Sequence, residues 1–282
     1  PEVNASYKRR FINYPSNQKY TFLEEEGEML IVCVDKYVDA LQPLVEWKNI
    51  SGRPTTIVPS SVTGTLDSLK QYIADYYNDN PELVYVLLVG EHNDLPAKPM
   101  SGGRSDNYYG MLEGDDKYEE VMVGRLPVNS VSDAVDQVNK IIYYERDIDE
   151  KATWLNKAAG IAAKEGQGHY EEIDFEHMDF IRDTLLNYTY TEVSQYYANI
   201  NNPIAPQMVT DFSKGLGLIN YCNHGTPESW AVANFSTTEV HRLTNDNMLP
   251  FIWSVACNNG QFEYDECFGE AWMRATNPAT GA

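Results

Sequence analysis

Short apolar runs separated by amphipathic stretches recur along this chain and limit what it can fold into. Residues 29–34 are continuous, apolar and rich in β-branched side chains, the pattern of a strand buried on both faces. Residues 37–49 then take helical spacing, 55–58 read as a second strand, and 66–77 as a helix with Leu66, Leu69, Ile73 and Tyr77 on one face. Residues 84–89 form a third buried strand that ends in Gly90-Glu91-His92. A strand–helix–strand order of this kind closes as a parallel sheet with right-handed crossovers. After a loop-rich stretch over 91–120, a strand over 120–124 and a helix over 131–145 complete the first half.

The charged segment 146–151 breaks the pattern, and the alternation then restarts. Strands are expected over 157–163, 192–196, 217–221 and 250–256, with helices over 174–187, 203–212 and 267–275. The fold class is therefore α/β, with two adjacent α/β/α sandwich subdomains built on mainly parallel sheets. The expected divisions are an N-terminal arm over 1–24, a first subdomain over 25–150 and a second over 151–282. No sequence repeat is strong enough to identify the halves as a duplication. The arm carries Lys8-Arg9-Arg10, which reads as a processing point or as a solvated tail.

Composition supports a packed protein and narrows its partners. Of the 282 residues 43% are apolar and 12% aromatic, which excludes a disordered chain. Acidic residues number 42 against 21 basic, a formal net charge of -21 that repels nucleic acid and anionic lipid. Basic partners and divalent cations are favoured instead. No apolar run approaches the ~18–20 residues that span a bilayer, so no membrane span is expected. The polar start at Pro1 carries no signal peptide, as expected of a cytosolic protein or of a processed fragment.

Reactive residues gather where the predicted strands end, which is where parallel sheets place their functional groups. The strand ends carry Lys164-Glu165-Gly166, Asn223-His224-Gly225 and Cys257-Asn258-Asn259-Gly260. The four cysteines, Cys33, Cys222, Cys257 and Cys267, show no CxxC or zinc spacing and are too few for a disulfide scaffold. A free thiol is therefore available, and a thiol nucleophile needs a base beside it. His224 and Cys257 meet that need if their strands are neighbours. The N–H groups of Gly225 and Cys257 would form an oxyanion hole, and Glu165 would orient His224 or bind substrate. Cys33 and Cys222 read as core residues, whereas Cys267, at a helix start, is the rival nucleophile.

The run Asn220-Tyr221-Cys222-Asn223-His224-Gly225-Thr226-Pro227-Glu228-Ser229-Trp230 resembles the histidine motif of the gingipain family of cysteine peptidases. Ala256-Cys257-Asn258-Asn259-Gly260-Gln261-Phe262 is similar to that family's nucleophile motif, and Cys267-Phe268-Gly269-Glu270-Ala271 with Met273-Arg274 continues the match. Upstream, Glu46-Trp47-Lys48, Ser105-Asp106, Val123-Gly124-Arg125 and Tyr143-Tyr144-Glu145-Arg146 resemble it in order, so that residues 25–282 are covered.

The resemblance implies a caspase-like second subdomain and peptide-bond hydrolysis by a Cys257/His224 dyad through a thioester acyl-enzyme. It implies a secreted or cell-surface bacterial enzyme made with a propeptide, and residues 1–24 would be the end of that propeptide or the linker after it. Catalysis would need no cofactor, and Ca²⁺ would be a structural ion, with the acidic loop 113–116 a candidate for it. In arginine-cleaving members an aspartate lies at the base of the S1 pocket. Asp174 takes that place here, with Glu171 and Glu172 as alternatives and an ordinary helix-capping role for Asp174 also open. Substrates with Arg or Lys at P1 follow. The family's second half continues beyond the last residue, so a truncation, or a companion chain carrying the rest, is expected. A binding or assembly protein that keeps the fold without catalysis, or a peptidase of another P1 preference, is the alternative reading.

Overall fold

The computed structural model describes residues 27–280 apart from 102, 199–203 and 278, so the arm over 1–24 lies outside the described residues. The first half contributes β1 (Glu28–Cys33), α1 (Val38–Ile50), β2 (Thr55–Pro59), α2 (Asp67–Asp79) and β3 (Leu83–Val89). A short hairpin, β4 (Lys98–Met100) with β5 (Gly103–Ser105), precedes β6 (Met122–Leu126) and α3 (Val131–Ile142). Ser130 caps α3 by accepting the Asp133 N–H at 3.0 Å, and the helix continues as a π-helical turn over Tyr143–Asp147. The hairpin lies inside the stretch expected to be loop, because strands of three residues carry too little periodicity to be read.

The second half contributes β7 (Lys157–Ala163), α4 (Asp174–Tyr188), β8 (Glu192–Ala198), α5 (Ala205–Phe212) and β9 (Leu218–Cys222). A three-strand meander follows: β10 (Gly225–Thr226), β11 (Ser229–Trp230) and β12 (Phe235–Ser236). The edge strand β13 (Phe251–Val255) and α6 (Phe268–Arg274) complete it.

Both main sheets are parallel throughout, in the orders β2-β1-β3-β6 and β8-β7-β9-β13. The two orders are the same when each half is counted from its own first strand. The halves thus share a topology that their side chains do not advertise. In each, the chain changes direction across the sheet between its first and third strands, which opens a crevice at the carboxyl ends of those strands.

Alternation along the strands sends side chains to both faces of each sheet. On the first sheet, Leu30, Val32, Val86 and Leu88 pack under Leu69 and Ile73 of α2. Ile31, Cys33 and Val89 pack under Leu41 and Leu44 of α1 and Val138 of α3 on the other face. On the second sheet, Ile161, Ile219 and Tyr221 meet Met208 and Phe212 of α5 and Phe268 of α6. Trp230 lies within that layer, stacked on Tyr221 at 4.8 Å and edge-on to Phe268 at 5.0 Å. The opposite face is lined by the small residues Ala158 and Ala162 of β7, which let α4 approach closely. Among the described residues strand β13 has one neighbour, β9, and leaves Phe251, Trp253 and Val255 at least half exposed on one face. Among the described residues no helix is long and apolar enough to cross a membrane.

Ile31 is fully buried in the middle of β1, between Ile57 and Leu87. Ile31→Ala should lower unfolding free energy by ~2–5 kcal/mol in urea titration, with fluorescence and circular dichroism changing together. A loss below ~1 kcal/mol would contradict this packing.

Candidate active site

Glu165, His224 and Cys257 follow β7, β9 and β13, which are consecutive neighbours in the second sheet. All three therefore stand at one rim. The carboxylate of Glu165 and the imidazole of His224 meet there, Oε2 to Nε2 at 3.0 Å. Both side chains are more than half exposed, so the pair adds little stability and acts by orienting the ring. With Nε2 engaged by the carboxylate, Nδ1 is the nitrogen left to serve as acceptor.

The backbone of the histidine is held separately from its ring. Its N–H donates to Asn223 Oδ1 at 2.8 Å, and its carbonyl accepts from Ala231 N–H at 3.0 Å and Tyr221 Oη at 2.5 Å. The His224–Ala231 bond also sets the ladder alternation. It makes Gly225–Trp230 a pair without ladder bonds, so the Gly225 N–H turns away from β11. A Cβ at Gly225 would run into the Cys257 carbonyl, so only glycine lets the two strand ends approach this closely.

The four thiols differ in access. Cys257 is exposed, Cys222 is half-buried, and Cys33 and Cys267 are buried. Burial pushes the thiols of Cys33 and Cys267 up to about 12. Burial, and then the charge of Asp174, raise Cys222 as well. The rival Cys267 is thus withdrawn into the core, where it precedes α6 and donates its N–H to Glu270 at 2.7 Å. Immediately after Cys257 the chain passes through a left-handed residue, Asn258, at φ +63°. Asparagine tolerates that region better than most side chains, and the reversal lifts the thiol clear of the sheet.

A partly buried polar chain ties the loop after β13 to the histidine loop. Trp230 Nε1 donates to Ser254 Oγ at 2.9 Å, and Ser254 Oγ donates to Asn259 Oδ1 at 2.9 Å. Asn259 Nδ2 then donates to the carbonyls of Thr226 at 2.7 Å and Ser229 at 3.0 Å. All of these residues but Ser254 fall inside the two sequence motifs, yet the role of Asn259 depends on partners around thirty positions upstream. The signal in the sequence was a cluster of polar residues beside an apolar strand.

Asp174 begins α4, but it does not cap it. The Ile173 N–H at the cap is taken by Glu176 at 3.0 Å, while Asp174 Oδ2 accepts from Asn223 Nδ2 at 2.5 Å. Its own N–H donates to the Glu165 carbonyl at 2.8 Å. The carboxylate thus lies between the ends of β7 and β9, over Gly166, where any Cβ would collide with it. Glu172 is buried within its loop, accepting from Tyr170 N–H at 2.7 Å and facing His177 Nδ1 at 3.1 Å. Glu171 is exposed, with φ +67°.

Two carboxylates of the acidic loop 113–116 accept hydrogen bonds. Glu113 accepts from Tyr77 Oη at 3.1 Å, and Asp116 Oδ1 accepts from Tyr118 N–H at 2.9 Å. Among the described residues no three His, Cys, Asp or Glu side chains converge to hold a metal.

An exposed thiol and a carboxylate-held imidazole at adjoining ends of a doubly wound parallel sheet define a thiol–imidazole site on an α/β scaffold. The sequence profile described as Peptidase family C25 matches residues 22–282, and the chain belongs to that family. It is 38% identical to gingipain R1 of Porphyromonas gingivalis over 96% of its own length and 28% of that protein. The crystal structure of the Arg specific cysteine proteinase gingipain R superposes with a TM-score of 0.85 at 37% identity, covering 92% of this chain and 62% of that one. The complex of Porphyromonas gingivalis RgpB pro- and mature domains gives a TM-score of 0.86 at 37% identity, over 89% and 61% of the two chains. The chain therefore spans less than a third of gingipain R1 and under two thirds of the solved chains.

Thiol access and burial together make a direct expectation. Brief treatment with iodoacetamide at pH 8, followed by peptide mapping, should alkylate Cys257 first and Cys222 more slowly. Cys33 and Cys267 should react only after unfolding. Early labelling of Cys267 would contradict the site.

Proposed function

We propose that this chain carries the catalytic core of a secreted or surface-borne bacterial cysteine endopeptidase that cleaves after Arg or Lys. The observation that carries this reading is the Glu165–His224 pair at 3.0 Å beside the exposed thiol of Cys257 on the next strand end. His224 Nδ1 takes the proton of Cys257 Sγ, and the thiolate adds to the scissile carbonyl carbon. The oxyanion that forms accepts from the N–H groups of Gly225 and Cys257. The imidazolium, stabilised by Glu165, returns its proton to the leaving amine as the C–N bond breaks, leaving a thioester. Water then adds to the thioester with His224 as base, the acid departs and the thiol is restored.

Asp174 supplies the P1 preference. One carboxylate oxygen is held by Asn223, and the group sits next to the dyad's strand ends. A fixed carboxylate favours a cation, and guanidinium can match it with two parallel hydrogen bonds where ammonium offers a point charge. Arg is therefore preferred over Lys, in keeping with the specificity named for the 37%-identical gingipain R structure.

A propeptide as partner is supported by the solved complex of pro- and mature domains. A further segment or companion chain over β13 is supported by Phe251, Trp253 and Val255, an apolar stripe on an edge strand that would otherwise invite non-specific pairing.

Cys257→Ala should reduce hydrolysis of peptides with Arg at P1 by at least ~10⁴-fold, since the nucleophile's loss removes the covalent route. Retained hydrolysis would reject the mechanism, and a wild-type chain that binds Arg peptides without cleaving them would favour a binding protein. Asp174→Asn should raise KM for Arg substrates by ~10–100-fold, the loss of a charged hydrogen-bond pair, while a substrate with Ala at P1 changes less than threefold. Equal effects on both substrates would reject the pocket role.

A further inference from the structure

The second sheet carries the dyad, but the segment after Cys257 is held by the first half of the chain as well as by the second. Phe262 lies 5.8 Å from the His92 ring and under the Arg125 guanidinium at 5.3 Å. Glu263 Oε1 pairs with Arg104 Nε of the β4–β5 hairpin at 2.5 Å. Arg125 is itself fixed. It grips Asp106 with two bonds of 2.7 Å and donates to the carbonyls of Gly90 and Leu95 at 2.8 Å each. Its side chain is 8% exposed, so this fork forms a rigid floor at the rim of the first sheet.

Helix α6 continues the same segment and spans both halves. At its start, Phe268 N–H donates to Pro227 O at 2.6 Å and Gly269 N–H to Asn259 O at 2.8 Å. These acceptors follow His224 and Cys257 closely in sequence, so one helix end holds both loops of the dyad. At its other end, Arg274 reaches the carboxyl ends of β3 and β6 in the first sheet. There it pairs with Glu91, donates to Pro127 O at 2.8 Å, and lies 3.6 Å from both Asp133 and Glu270. Lys140 of α3 donates to the last carbonyls, Met273 O at 3.0 Å and Ala275 O at 2.5 Å.

We propose that the first half of the chain is a seat for the nucleophile segment. Arg104–Glu263, Phe262 on Arg125, and Arg274 on Glu91 fix residues 258–274, and thereby fix where Cys257 stands relative to His224. None of these side chains touches the reacting atoms; Arg104, Arg125 and Arg274 are positioning residues. The ends of the third and fourth strands carry the dyad on the second sheet, and on the topologically matching first sheet those strand ends hold Arg274. The seat explains why Ser105-Asp106, Gly124-Arg125 and Met273-Arg274 accompany the dyad motifs although they lie outside the site.

This inference rests on the cysteine peptidase reading, and its test separates the two. The Arg104–Glu263 pair is partly exposed, so reversing either charge should leave the chain folded. In the full chain, Arg104→Glu and Glu263→Arg should each lower kcat on an Arg-ended reporter peptide at least fivefold, with KM within twofold and the thermal midpoint little changed. The double variant should recover at least half the wild-type kcat. The rate and pH profile of Cys257 alkylation by iodoacetamide should shift in the single variants and return in the double, because thiolate formation depends on the imidazole. Arg274→Gln should lower kcat more strongly; should it fail to fold, the charge swap decides alone. Single variants with wild-type kcat and alkylation, or a double variant with no recovery, would overturn the seat. A wild-type chain that cleaves nothing would instead overturn the peptidase reading, and alkylation alone would then decide the seat.

Discussion

Parallel pairing of β7, β9 and β13 is the constraint on which the rest of this molecule depends. Parallel strands all finish at the same rim, so residues far apart in sequence arrive side by side. Glu165, His224 and Cys257 each follow one of these strands, and no loop needs to reach across the sheet to bring them together. Helices α5 and α6 on one face make the rim rigid by burying Ile161, Ile219 and Tyr221. An antiparallel arrangement would have divided the same residues between opposite edges.

Sheet pairing alone leaves the loops beyond the strands free to drift, and polar contacts remove that freedom. Asn259 has its amide nitrogen on two carbonyls of the histidine loop and its oxygen under Ser254. Burying such a group is costly unless its bonding capacity is filled, so the filled network selects one arrangement of the two loops. The Glu165–His224 pair is different in kind. It is exposed and weakly stabilising, and it engages Nε2 of the ring, which leaves Nδ1 free of the carboxylate.

Much of this was legible because burial leaves periodic marks. Residues 157–163 read as a strand from their apolar run, and β7 spans the same positions. The strand expected over 29–34 is β1 over Glu28–Cys33, and the helix expected over 174–187 is α4 over Asp174–Tyr188. The meander β10–β12 and the β4–β5 hairpin left no such mark, since strands of two or three residues have no period. The helix read over 131–145 departs from α geometry after Ile142, where a π-helical turn changes the bonding without changing the spacing of apolar side chains.

The sequence by itself determined the α/β class, the strand ends at which reactive residues stand, and the family whose motifs surround His224 and Cys257. Those properties follow from local patterning and from residue order, which the chain carries without folding. Only the tertiary structure decided which thiol is reachable, what Asp174 touches, and that the two halves share one strand order. Cys257 and Cys267 are both candidate thiols in sequence, but one stands at an open rim and the other is buried at the start of α6, where burial drives its thiol up to about 12. Asp174 could have capped its helix, but the helix is capped one residue earlier, at Ile173, and the carboxylate accepts from Asn223 instead. Such choices depend on neighbours brought together by packing, and no local pattern records them.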